Sequence, residues 1–254
     1  EIAACEPYFI GSHSGASGAW VSGPEDLQTD ATKGDYFWGY TNMTTVKGLF
    51  AAGDASGASS HKFSSGSLTE GRIAAKAACK YILENNEEPN VDMAKVEELK
   101  TITLKPLDTF AAHQAASTDP DINPHYLRPK MAMFRLQKIM DEYAGGVSTN
   151  FMTSKENLEK GLELLDWLKE DYEHLGAEDL HELLRAWENI HRTWQAEAHI
   201  RTILFREETR WPGYYFRSDM PSMDDENWNV FVNSRWDPAS GEWEMTKKPI
   251  HLIF

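Results

Sequence analysis

The sequence predicts an α/β segment, then an α-helical bundle domain, and last a small carboxyl-terminal β-hairpin region. Three observations predict this order. An apolar run bounded by glycines leads into a Gly/Ser loop near the front, leucine stripes of helical period fill the middle, and aromatics, proline and turns return from Trp211 onward. The expected divisions are 1–86 for the α/β segment, 87–123 for a linker, 124–210 for the helical domain and 211–254 for the closing β/loop region.

Residues 1–46 are rich in Gly, Ser and Trp, which suits loops and short strands around a site. Val46 to Ala52 (VKGLFAA) reads as a short buried strand, and Gly53 to Gly66 as a long Gly/Ser loop. Ser67 followed by Glu70 forms a capping-box pair, which predicts a helix beginning at Ser67. Leu68, Ile73, Ala77 and Tyr81–Ile82 fall near one side of that helix, and Asn85–Asn86 closes it.

The stretch 87–123 is acidic and then punctuated by proline, and is expected to cross to a second region. After Pro124, Met131, Phe134, Ile139 and Tyr143 fit one helix ended by Gly145–Gly146. Ser154 caps a second helix, with Asn157 in its first turn; Leu158, Leu162, Leu165, Leu168, Tyr172 and Leu175 keep a period near 3.6. A third carries Leu180, Leu183, Leu184, Trp187, Ile190, Trp194, Ala198 and Ile203, a stripe expected to pack in the core. Trp228–Trp236 and Trp243–Met245 flank DPASGE as a β-hairpin.

Composition narrows the function. With 25 basic and 40 acidic residues the net charge is −15, which repels phosphate backbones and anionic membranes. No run of 18 apolar residues occurs, so no spanning helix is expected. The two cysteines, Cys5 and Cys79, sit in no CxxC; they read as small buried residues in a reducing, cytoplasmic setting. Trp20, Trp38, Trp211, Trp228 and Trp243 read as packing groups. The run Asp224, Asp225, Glu226 lacks spaced partners and reads as a solvated turn rather than a metal site. The chain opens in mid-pattern without an initiator Met and is read as one piece of a longer polypeptide.

The chemistry lies in the strand, the Gly/Ser loop and the helix that follows. Such a unit offers a helix amino terminus to an anion or to a polar ring edge. Gly53 lets a ligand approach the backbone, and Asp54 can accept hydrogen bonds from ligand hydroxyls.

The stretch GLFAAGDASGASSHKFSSGSLTEGRIAAKAA resembles the second FAD-binding motif of the fumarate reductase and succinate dehydrogenase flavoprotein superfamily. Within it, YFIGSHSGASGAWVSGPEDL and MTTVKGLFAAGDASGASSHKFSSGS are most similar to the alpha-subunit family of dissimilatory adenylylsulfate (APS) reductases. The resemblance implies that the α/β segment is a partial, fumarate reductase-like FAD-binding segment. Gly53 and Asp54 would contact the FAD sugar chain, and Ser65, Gly66, Ser67 and Leu68 would lie at the flavin ring. His13 would be the catalytic group, polarising the sulfate of APS. Lys62, Phe63 and His61 would bind substrate, Lys62 by charge and Phe63 by stacking on adenine.

The implied reaction is reduction of APS to sulfite and AMP, or its reverse, with flavin N5 attacking the sulfate sulfur. Electrons would arrive from an iron–sulfur beta subunit, and the remaining amino-terminal part of the alpha subunit, which bears the family's GxGxxG motif, is a further expected partner. The dicarboxylate enzymes carry Asn-Arg-Leu where this chain has His61-Lys62-Phe63, and Lys cannot reproduce the planar fork of Arg. A fumarate reductase, succinate dehydrogenase or L-aspartate oxidase is one alternative. A non-catalytic helical assembly module is the other. The motif RSDMPSMDDENW resembles a segment found across the superfamily, in which Arg217 and Asp219 are expected to tie domains together.

Overall fold

Helices α1 (Phe63–Glu84), α2 (Met93–His113), α3 (Pro129–Tyr143), α4 (Lys155–Asp171) and α5 (Leu180–Phe205) form most of the described chain. The remainder includes strands β1 (Met152–Thr153), β2 (Phe216–Arg217), β3 (Val230–Asp237) and β4 (Glu242–Pro249), with a single turn α6 (Asp225–Trp228) before β3. The computed structural model describes residues 18–23, 38–57, 63–86, 88, 90–116, 123–210 and 216–250. Two units are resolved, Glu1–Asn90 and Val91–Phe254.

In the first unit VKGLFAA is not a strand. Gly48 has φ +86°, a left-handed turn that reverses the chain and leaves Val46 and Leu49 exposed. The Thr44 amide donates to the Leu49 carbonyl at 2.8 Å and the Ala51 amide to that of Asn42 at 3.0 Å, so the run folds back on residues 42–44 as a tight reversal. Fully buried Met43 lies inside it, bridged to Phe50. Helix α1 packs its Ala74–Ala77 side inward, and Tyr81 meets the edges of Tyr40 and Phe50. The Tyr40 hydroxyl donates to Glu84 at 2.9 Å and accepts from the Asn85 amide group at 3.0 Å, which also donates to the Tyr81 carbonyl; the helix therefore stops where the asparagines predict. Cys79, expected to be buried, is exposed: two residues beyond Ala77 it sits about 200° round the helix, on the outer side.

In the second unit the expected linker contains α2. Asp92 caps it, its carboxylate accepting the amides of Ala94 at 2.9 Å and Lys95 at 3.2 Å. Pro106 stands inside the helix but is buried, and its carbonyl accepts the Ala177 amide at 2.8 Å. Packing against α5, including the Trp187 indole donating to the Thr103 carbonyl at 2.9 Å, carries α2 through a proline that costs an isolated helix about 3 kcal/mol.

Helices α3, α4 and α5 surround one core of Leu136, Ile139, Leu158, Leu165, Leu168, Ala196, Ile200 and Ile203. The Ser154 hydroxyl accepts the Asn157 amide at 3.3 Å, as the spacing predicts, and Gly145 at φ +81° ends α3. The apolar stripe read on α5 is corrected. Leu180, Leu184 and Trp194 are exposed, whereas Leu183, Ala186, Asn189, Thr193, Glu197, Ile200 and Ile203 face inward. Three of those inward positions are polar because they hold neighbours. Asn189 donates to the Pro129 carbonyl at 2.7 Å, Thr193 meets the Tyr172 hydroxyl at 2.7 Å, and Glu197 accepts from Lys169 at 2.6 Å, Arg201 at 2.9 Å and the Trp243 indole at 2.9 Å. On α3, likewise, Met131 and Phe134 are exposed while Ala132, Leu136 and Ile139 are buried.

The carboxyl-terminal hairpin is present as predicted: β3 and β4 pair antiparallel with Trp236 opposite Trp243 and Asp237 opposite Glu242. Arg217 ties elements within this unit. Its guanidinium, 1% exposed, donates to the Ile203 carbonyl at the end of α5 and makes a forked pair with Asp219 at 2.8 and 2.6 Å. Asp219 in turn accepts the Lys155 amide that opens α4. The Asp224–Glu226 run is a capped turn, Asp224 accepting the Asn227 amide at 3.1 Å and Asp225 pairing with Arg210 at 2.9 Å. Among the described residues no cluster of three metal-ligating side chains occurs, and no helix is long and apolar enough to cross a membrane.

Candidate flavin-binding site

Gly53 opens a short 3-10 turn, Gly53–Ala55, at the end of the reversal. It is buried with φ +64°, and a side-chain carbon there would stand 2.9 Å from the Ser67 hydroxyl. Glycine is thus required twice, by backbone and by space. Asp54 projects from the turn and is exposed. The following segment is laced to the front of the chain: the Ala19 amide donates to Ala55 and the Gly57 amide to Ala19, both at 2.8 Å, with a parallel bridge from Ala19 to Ser56. A side-chain carbon on Gly18 would lie 2.6 Å from the Ser56 carbonyl carbon, so only glycine fits this crossing. Gly18 stands five residues after His13.

The helix after the loop begins at Phe63, four residues before the predicted start. The capping-box reading fails because Glu70 is engaged elsewhere: its carboxylate accepts the Gly53 amide at 2.8 Å. The outward-pointing amides of the helix's first turn consequently include those of residues 63–65. Ser65 and Gly66 lie in that turn, while Ser67 and Leu68 lie in the next; Ser67 turns toward Gly53, and Leu68 is 69% exposed.

The structure places Gly53 against Ser67, with Asp54 next to Gly53 in the turn and Ser65, Gly66 and Leu68 next to Ser67 in the first two turns of α1. His13, His61 and Lys62 lie outside the described residues, as does Cys5, and of Phe63 only the backbone is described, as the first residue of α1. Sequence reasoning missed two contributors, Gly18 and Glu70. Glu70 carried a signal, since its spacing from Ser67 singled it out, but its partner is seventeen residues upstream rather than in its own first turn.

The arrangement suits a flavin nucleotide. A buried glycine turn that bears an exposed carboxylate lies against the second turn of a 22-residue helix, which also offers an exposed leucine. Those are the donor, acceptor and apolar surfaces that a ribityl chain and a ring edge need.

The second unit is similar to a class of protein, the fumarate reductase-type flavoproteins: the family model described as fumarate reductase flavoprotein C-term matches residues 133–253. The particular likeness is narrower. Over its whole length the chain is 46% identical to adenylylsulfate reductase subunit alpha of Megalodesulfovibrio gigas, of which it covers 38%. It superposes on adenylylsulfate reductase from Archaeoglobus fulgidus with a TM-score of 0.91 at 54% identity, covering 96% of this chain and 38% of that one. The same values relate it to a structure of adenosine-5-phosphosulfate reductase in complex with sulfite as a covalent adduct. The chain thus spans somewhat over a third of the length of the relatives it matches.

Proposed function

We propose that this chain is part of the FAD-bearing alpha subunit of an adenylylsulfate reductase, which reduces adenylylsulfate to sulfite and AMP or runs the reverse reaction. The observation that carries the reading is identity of 46% over the whole chain, and of 54% over 96% of it, to proteins named for that activity, one of them in complex with sulfite. Bound FAD would supply the electron pair that cleaves the sulfur–oxygen bond of adenylylsulfate. Gly53 and Asp54 hold the FAD sugar chain, and the start of α1, Ser65 to Leu68, faces the flavin ring, where helix amides favour negative charge.

His13 polarises the sulfate group, and Lys62, with His61, supplies positive charge to the anionic substrate. Phe63 stacks on the adenine, a contact worth about 1–3 kcal/mol. Electrons come from an iron–sulfur beta subunit, for which two cysteines in this chain leave no Cys₄ set. The setting is cytoplasmic.

The test is an assay of the native complex. Adenylylsulfate should be turned over to AMP and sulfite, and the purified complex should show a flavin band near ~450 nm that denaturation releases. Turnover of fumarate or succinate without adenylylsulfate would overturn the reading, and a complex without flavin would leave only an assembly role. His13→Ala should lower turnover by roughly 100-fold or more.

A further inference from the structure

We infer that Glu70 is a positioning residue for the flavin site: its carboxylate holds the Gly53–Asp54 turn against α1 and so sets the distance between the two halves of the cofactor cradle. The inference rests on the FAD reading above and adds to it a residue outside the set assigned to the cofactor.

Two surfaces must be kept in register for one ligand to span them. The turn Gly53–Ala55 carries Asp54, and the first two turns of α1 carry Ser65 to Leu68. The turn is laced to Ala19 through Ala55 and Gly57, and a direct bond ties it to α1. Glu70 supplies that bond, accepting the Gly53 amide at 2.8 Å across a sequence separation of 17. Ser67 sits one helical turn earlier on the same side, its hydroxyl 2.9 Å from where a side-chain carbon on Gly53 would stand, so only a residue without one lets the turn lie against this face.

The bond draws the turn onto α1, and the missing side chain at Gly53 lets it come that close. Ala74 and Ala77 continue the same inward side and are buried, so Glu70 and Ser67 are the polar end of a row that is otherwise alanine. A half-buried carboxylate on a backbone amide is a charge-assisted bond, stronger than the neutral one it replaces.

The experiment uses the whole flavoprotein complex, stripped of flavin and reconstituted with FAD. Glu70→Ala should raise the FAD dissociation constant about tenfold or more and shift the visible flavin spectrum. Glu70→Gln keeps an acceptor oxygen at the same reach and should stay within about threefold of the unaltered protein. Glu70→Asp, one methylene shorter, should fall with the alanine variant and serves if that variant does not fold. Unchanged affinity and spectrum in the alanine and aspartate variants would overturn the inference, as would equal loss in the glutamine variant. Failure of the unaltered complex to bind FAD would instead overturn the flavin reading.

Discussion

At the residue scale the determining features are glycines without room and an arginine without water. Gly18 crosses the Ser56–Gly57 backbone so closely that a methyl group would meet main-chain atoms at 2.6 and 2.7 Å. Neither neighbour is the flexible end of a side chain, so the crossing itself must move. Gly18→Ala should destabilise the protein by about 1–3 kcal/mol, seen as a lowered melting temperature, and lower turnover with it, because the strand it displaces adjoins the turn that bears Asp54. An unchanged melting temperature would show that the crossing is not formed. Arg217 makes the opposite case. At 1% exposure its guanidinium relies on Asp219 and on the α5 carbonyls. Asp219→Asn leaves that charge with half its fork and removes a charged acceptor from the Lys155 amide. Chemical denaturation should show a loss of about 2–3 kcal/mol. The pair was legible as structural from RSDMPSMDDENW, but which elements it joins was not, since both partners of the fork lie in one unit.

At the element scale, helices were legible where cap and period agree, and misread where either was overridden. Ser154 with Asn157, Gly145 and Asn85 act as their residue types predict, because each makes its cap or turn within its own helix end, Asn85 adding a distant bond to Tyr40. The start of α1 was not legible: Glu70 had a local partner available and took a distant one. Helix α2 was hidden by Pro106, whose cost is offset by contacts with α5 that no local pattern contains. The most instructive misreading is on α5. Leucine and tryptophan count as apolar wherever they stand, yet Leu184 is 55% exposed and Glu197 is 5% exposed. Buried polar groups that bridge α4, α5 and β4 displaced the apparent stripe by a fraction of a turn. The two assignments give different mutational outcomes. Leu165→Ala, at a wholly buried position between α3, α4 and α5, should cost about 2–5 kcal/mol in denaturant unfolding. Leu184→Ala should change stability by no more than about 0.5 kcal/mol. Equal effects would restore the stripe inferred from periodicity alone.

At the scale of the whole molecule, the acidic balance of −15 is not spread evenly over solvent. Several carboxylates are built into the second unit as acceptors for cations. Burial pushes the Glu197 carboxyl up, but the hydrogen bonds from Lys169 and Arg201 outweigh it and hold it below the ordinary glutamate range. Glu208, whose side chain is fully buried, behaves likewise: burial raises it, and Arg210, the Asp224 amide and Arg206 together bring it below. Asp219 is lowered first by its bond to Arg217.

In all three the folded state binds its proton less readily than the unfolded chain does. Their stabilisation is accordingly present in full above the unfolded values, about 4 for these groups, and is lost as pH falls through the lower folded values. Denaturant midpoints should hold steady from about pH 7 to 5 and then drop steeply below about pH 4. Glu197→Gln removes the carboxylate shared by α4, α5 and the hairpin, so it should lower the midpoint at neutral pH and flatten the acid limb. A variant with the same acid limb as the unaltered protein would show that Glu197 is not among the groups whose protonation unfolds it.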